Sequence, residues 1–236
     1  MKTILITGTS SGIGEAAAIY FAQKNFNVVG IARRKNSHLA HPNITQIQFD
    51  LSDTDHIDTL IAKLPHNLQI HYVIHNAATE GYLKSLMHLS LTELRHVMRL
   101  NFEAPFLLTQ KFLGSFPHGA RVLQISSGLA HNPLLGAGSY CVSKSALYML
   151  YLCWNQDLKG KVLVGSLDPG IVGTAMQDRL RAANKEEFES HQLFHDIKAS
   201  GALKDPSGIA EFMHHILLET SDAEFIAKEW VHPALE

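Results

Sequence analysis

An excess of charge of either sign is what this chain most clearly lacks. Its 236 residues carry 20 Lys and Arg against 22 Asp and Glu, a formal net charge of −2. No basic stripe or tail builds the long-range field that nucleic acid or an anionic lipid surface requires, so neither partner is expected. Cysteine is scarce as well: only Cys141 and Cys153 are present. Twelve helical positions would part them by about 18 Å along the axis, against the ~7 Å limit for a disulfide. A reducing, cytoplasmic setting fits. No apolar run approaches the roughly 20 residues of a membrane span. The chain opens directly on Ile4-Leu5-Ile6, with no basic segment and apolar run ahead of it, so no secretion signal is expected either.

What is plentiful points elsewhere. Hydrophobic residues make up 46% of the chain, enough for one substantial core, and 1–236 is expected to form a single compact domain. The 15 histidines fall in no His-Glu-x-x-His or cysteine-paired pattern, so no metal is expected.

Short apolar runs alternate with longer amphipathic ones. The strand pattern falls at Thr3–Thr7, Asn27–Ala32, Ile44–Phe49, Ile70–His75, Arg121–Ser126, Lys161–Leu167 and, weakly, Glu224–Trp230. Helical patterns occupy 13–24, 53–64, 88–98, 102–115, 140–157 and 206–219. Such βαβ alternation predicts a parallel sheet of about seven strands with helices on both faces, because parallel neighbours need crossover connections. Met176–Gly201 differs: it is rich in charge and poor in strand signal. A substrate lid and a plain surface helix pair both suit it.

The first strand runs into Thr7-Gly8-Thr9-Ser10-Ser11-Gly12-Ile13-Gly14 and then a strong helix opening. Glycines there permit a tight turn and let backbone N–H groups approach a pyrophosphate at the helix N-terminus, as in a Rossmann-type doubly wound fold. Where an acid would hold the ribose 2′-OH of NAD, the second strand ends in Ala32-Arg33-Arg34. Two guanidinium groups suit the 2′-phosphate of NADP instead. Asp50 and Leu51 end the third strand; Asp50 suits the adenine amino group or a turn cap. Asn76-Ala77-Ala78 ends the fourth with small residues, as close cofactor approach requires.

Tyr140 and Lys144 stand four residues apart on one helix face, with Ser127 thirteen residues upstream of the tyrosine. An adjacent ammonium favours the phenolate by roughly 1–3 pKa units, which would make Tyr140 a usable general acid near neutrality.

Taken together, Thr7-Gly8-x-x-x-Gly12-Ile13-Gly14, Asn76-Ala77-Ala78, Asn101, Ser127, Tyr140-x-x-x-Lys144 and Pro169-Gly170-x-x-x-Thr174 resemble the short-chain dehydrogenase/reductase family across the whole chain. The resemblance implies Tyr140 as proton donor and Lys144 as the residue that lowers its pKa and holds the nicotinamide ribose. It implies that Ser127 orients the carbonyl and Asn101 holds a water feeding protons to Lys144. The turn from Pro169 to Thr174 would hold the carboxamide through Ile171 or Val172 and Thr174. His75-Asn76-Ala77-Ala78 departs from the usual Asn-Asn-Ala-Gly. Thr174-Ala175-Met176-Gln177, with Arg179 or Arg181 and Lys198-x-x-Gly201-x-Leu203, looks like the sepiapterin reductase and benzil reductase group. His232, not an aspartate, follows Val231, which argues against a pterin substrate.

The expectation is an NADP(H)-dependent carbonyl reductase acting on a small-molecule ketone or aldehyde. Leu129, Leu134, Leu135, Tyr82, Met176 and Leu180 make the surrounding loops apolar, which suits a bulky aromatic or 1,2-dicarbonyl compound. The competing readings are an NADP-binding sensor and an alcohol dehydrogenase working oxidatively. Phe106, Leu107, Phe112, Leu147, Tyr148, Leu150, Tyr151 and Trp154 suit either a homodimer or homotetramer interface or burial within one chain.

Overall fold

The computed structural model describes residues 1–233. Its elements run β1 (Thr3–Thr7), α1 (Gly12–Gln23), β2 (Asn27–Ala32), β3 (Ile44–Gln48), α2 (Ile57–Ile61), β4 (Tyr72–His75), α3 (Leu91–Met98), α4 (Ala104–Lys111), β5 (Ala120–Ile125), α5 (Gly138–Leu158), β6 (Val162–Asp168), α6 (Ala175–Ala182), α7 (His191–Ala199), α8 (Pro206–Leu218), α9 (Asp222–Ala227) and β7 (Glu229–Val231). All seven strands are parallel, in the order β3-β2-β1-β4-β5-β6-β7. The order reverses between β1 and β4, so the connections leaving their carboxyl ends part to opposite sides and open a crevice where ligands of such sheets bind.

Period-two alternation divides the strands between two cores. Ile4, Ile6, Leu123, Ile125 and Leu167 point to one face, where α1, α8 and α9 supply Phe21, Met213, Ile216 and Phe225. Leu5, Val73, Val122, Val162 and Val164 point to the other, against Leu108, Phe112, Tyr151 and Trp154 of α4, its C-cap and α5. A third, smaller apolar cluster joins α6 and α7 to the start of α5 through Ala137, Cys141, Leu180, Phe188 and Phe194. Met176–Gly201 is thus largely a helix pair with its own apolar contacts.

Three elements depart from expectation. The helix expected over 53–64 shrinks to Ile57–Ile61 preceded by a single 3₁₀ turn. The strand expected over Glu224–Trp230 keeps only Glu229–Val231, because Ser221 and Glu224 form a capping box that starts α9 instead. Between α3 and α4 the chain makes a π turn, Arg99–Glu103. Pro105 has no N–H to return to the carbonyl four residues back, at Asn101, so the regular ladder breaks there.

Candidate active site

The carboxyl ends of β1, β2, β4, β5 and β6 surround one cleft of about 530 Å³, roofed by α6 and α7. On one side stand Gly8, Ser10, Ser11, Gly12 and Ile13, with Arg33, Arg34 and Leu51 beyond them. Asn76, Ala77 and Ala78 line the floor, and Ser127, Tyr140 and Lys144 face Pro169, Gly170, Ile171, Val172 and Thr174 across the rest.

The glycine turn is shaped by local sterics. Gly8 and Gly12 take φ of 75° and 62°, the left-handed region in which glycine alone carries no Cβ penalty. A Cβ on Gly14, which lies beneath the wall, would collide with the Gly8 carbonyl and Asn76 Nδ2. Asn76 stitches the crevice shut below: its Nδ2 donates to Thr7 O at 2.9 Å, and the amides of Asn76 and Ala77 both donate to Thr7 Oγ1 at 3.0 Å. Ser11 is the N-cap of α1 but makes no side-chain capping bond, so the helix presents its first-turn amides to the cleft. Arg33 and Arg34 are exposed and, among the described residues, pair with no carboxylate. Asp50 stands off the wall; its Oδ1 accepts from the Ser52 amide at 3.0 Å and hydroxyl at 2.8 Å, so it serves as the turn cap.

Tyr140 faces the cleft, and the Lys144 ammonium lies 5.6 Å from its ring centroid. Lys144 is 3% exposed and donates to the Ile125 carbonyl at 2.6 Å. Burial lowers its pKa to about 8, against an opposing pull from Asp168. Tyr140 differs from the sequence expectation. Its pKa is raised, because burial outweighs a Ser127 hydrogen bond that acts the other way, and the charges of Asp168 and Glu80 add to the rise. The ammonium donates to the Ile125 carbonyl here, and burial dominates the shift of the phenol.

Asn101 sits in the π turn, 1% exposed and off the cleft wall. Its Nδ2 donates to Thr79 O and Ser143 Oγ, both at 2.9 Å, and its Oδ1 accepts from the Thr79 amide at 2.9 Å. Ser143 in turn donates to the Tyr140 carbonyl at 2.8 Å. Asn101 therefore braces α5 against the loop after β4. His75, behind that loop, is fully buried with Nε2 2.9 Å from Thr109 Oγ1, and burial depresses its pKa to about 3.

Leu129, Leu134, Met176 and Leu180 line the cleft, joined by Leu83, Leu193, Phe194 and Ile197, whereas Tyr82 and Leu135 face solvent. Two acidic residues were missed by sequence reasoning. Asp168 precedes Pro169 and accepts from the Gly170 amide at 2.9 Å, the signature of an Asx turn. Glu80, 8% exposed, follows Ala78 by two residues and binds Arg179 on α6. Its position in a strand-end loop was the available signal.

A Gly-rich turn opening an uncapped helix, at the crevice of a doubly wound sheet and facing a Ser-Tyr-Lys set, defines a nicotinamide-dependent oxidoreductase of the short-chain class. The family model described as short chain dehydrogenase matches residues 2–185, and the chain belongs to that family. A relative from Bacillus cereus, benzil reductase ((S)-benzoin forming), is 30% identical, the alignment covering 94% of this chain and 96% of the relative. Among solved structures, 4-hydroxyisoleucine dehydrogenase complexed with NADH superposes with a TM-score of 0.82 at 23% identity, covering 98% of this chain and 96% of that one. Angucycline C-6 ketoreductase LanV with bound NADP gives 0.78 at 21%, covering 98% and 92%. No helix among the described residues is long and apolar enough to cross a membrane.

Proposed function

We propose that the chain is an NADPH-dependent carbonyl reductase for a bulky, uncharged ketone or aldehyde, aromatic 1,2-diketones included. The observation that carries this reading is the meeting of Ser127, Tyr140 and Lys144 on one wall of a cleft whose far end offers Arg33 and Arg34 and whose roof is apolar. The name of the Bacillus cereus relative adds to it.

The residues present fit the cofactor. Gly8, Ser10, Ser11, Gly12 and Ile13, with the free first turn of α1, would hold a pyrophosphate, and Gly14 lets that turn close. Arg33 and Arg34 would hold the 2′-phosphate, Leu51 and Asn76–Ala78 the adenosine and ribose side, and Pro169–Thr174 the nicotinamide end. Bound NADPH supplies a hydride for the carbonyl carbon. Tyr140 gives its hydroxyl proton to the carbonyl oxygen, and Ser127 donates a second hydrogen bond to the charge developing there. A phenol whose pKa is raised remains protonated through the neutral range, the state a donor needs. Lys144 keeps positive charge beside the site at pH 7, and Asn101 holds the helix bearing both residues in place.

The roof of α6 and α7 acts, on this reading, as a lid over the substrate end of one domain. Pairing of two copies is also proposed. Phe112, Leu147, Tyr151 and Trp154 are buried within the chain, but Val142 and Met149 remain 49% and 55% exposed, seven residues apart on α5. Light scattering measures the outcome.

Purified protein is expected to consume NADPH with an aromatic 1,2-diketone such as 1-phenylpropane-1,2-dione; failure to do so over long incubation would falsify the reading. Arg33→Asp is expected to reverse a preference for NADPH over NADH, because a carboxylate repels the 2′-phosphate and accepts from a 2′-OH. Comparing kcat/KM for the two cofactors checks it.

A further inference from the structure

Across the mouth of the cleft, Arg179 of α6 engages Glu80 at two points: Nε bonds Oε1, and Nη2 donates to Oε2 at 2.9 Å. The partners differ in exposure. The Glu80 side chain is 10% accessible and that of Arg179 56%, so the carboxylate belongs to the body of the protein and the guanidinium reaches in from the roof.

Glu80 is held there by its neighbours. Thr79, before it, has its amide and carbonyl both clamped by Asn101, at 2.9 Å each. Gly81, after it, takes a φ of 76°, and a Cβ there would collide with Ser139 and Val97. The backbone is therefore fixed on both sides of the carboxylate, which keeps the Cα of Glu80 at the cleft.

Arg179 is the one cation that the described residues place at the substrate end of the cleft apart from Lys144, which already serves the Ile125 carbonyl. An unpaired guanidinium in that position would be a two-pronged receptor for a substrate carboxylate. Here its inner edge is occupied. A carboxylate substrate would have to displace Glu80 and leave it buried and unpaired, a penalty that works against the wrong ligand without touching the right one.

We propose that Glu80 is a specificity-determining residue: by occupying Arg179 it makes the cleft select uncharged carbonyl compounds and turn away 2-oxo acids of the same shape. The inference deepens the carbonyl-reductase reading and rests on it for the identity of the reacting group.

Two probes of nearly equal shape test it: 1-phenylpropane-1,2-dione, which is neutral, and phenylglyoxylate, in which a carboxylate replaces the acetyl group. In calorimetric titration of the NADP⁺-loaded protein, Glu80→Gln is expected to bind phenylglyoxylate roughly 10–100-fold more tightly than the wild type, the scale of a recovered charge-assisted contact. The gain should vanish in the double variant Glu80→Gln, Arg179→Met. In steady state the ratio of kcat/KM for phenylglyoxylate to that for the diketone should rise with the binding, through KM. Loss of the Glu80 charge also acts on Tyr140, but on both substrates alike, so the ratio isolates recognition.

Equal affinity of wild type and Glu80→Gln for phenylglyoxylate, or a gain that persists in the double variant, overturns the proposal. Should Glu80→Gln fail to fold, Arg179→Met at its exposed position decides the matter: it leaves Glu80 unpaired beside the cleft, so phenylglyoxylate should bind more weakly and the diketone as before, while equal or tighter binding of phenylglyoxylate, or an equal loss for both compounds, overturns the proposal. The titration requires no turnover. A diketone left untouched by the wild type therefore sinks the reductase reading separately from this one.

Discussion

Tyr140→Phe is expected to lower turnover of an aromatic diketone roughly 10²–10⁴-fold, the usual contribution of a positioned general acid, while NADPH affinity and thermal stability stay close to wild type. The substitution keeps the ring that faces the Lys144 ammonium and removes only the hydroxyl. Ser127 carries an aliphatic hydroxyl, ordinarily a weaker acid than a phenol, so it is not expected to take over the proton transfer. The effect should fall on kcat, since the lost interaction matures in the transition state. Fluorescence titration of NADPH beside steady-state kinetics measures both halves. Turnover that survives would mean the proton comes from elsewhere, and the acid–base assignment would fail.

Lys144→Met should abolish activity and also flatten the pH dependence of stability. Burial depresses the Lys144 pKa from 10.5 to about 8, so between those values the unfolded chain binds more protons than the folded one. Stability due to this group therefore rises with pH across that window, and below pH 8 the buried charge costs folding about 3 kcal/mol. Methionine removes the charge but leaves the Ile125 carbonyl without its donor, a loss of about 1–3 kcal/mol. Near neutrality the two largely offset. Between pH 8 and pH 10.5 they do not: the wild type should gain stability from the residue's deprotonation, and the variant should lack that gain. Turnover should nearly disappear. Denaturant unfolding at the two ends of the window, with kinetics alongside, separates a group that serves the reaction from one that holds the fold.

Much of this architecture could be read directly from residue order, for identifiable reasons. Strands buried on both faces must be apolar runs, and β1 and β2 fall where Thr3–Thr7 and Asn27–Ala32 predict them. The glycine turn, Asn76 and Ser127 lie at strand ends, where parallel topology gathers them, and Tyr140 and Lys144 stand on one face at the start of the next helix. What escaped depends on contacts distant in sequence. Glu80 and Arg179 meet across 99 residues, and neither a charged loop residue nor one arginine among two on α6 announces its partner. The acidity of Tyr140 escaped for a related reason: helical spacing gives the proximity of Lys144 but not its allegiance to Ile125. Helix α9 reads as strand in the sequence because of the β-branched and aromatic residues after Glu224; the capping box of Ser221 and Glu224 is the signal that would have found it.

The small apolar cluster beneath α6 and α7 shares no residue with either sheet core. On the lid reading proposed above, its packing would loosen and re-form while the strands remain as they are, and admission of substrate and survival of the protein would rest on separate sets of contacts. One member of that cluster, Cys141, is the immediate neighbour of Tyr140. On that reading a shift of the roof would reach the proposed proton donor through a single peptide unit.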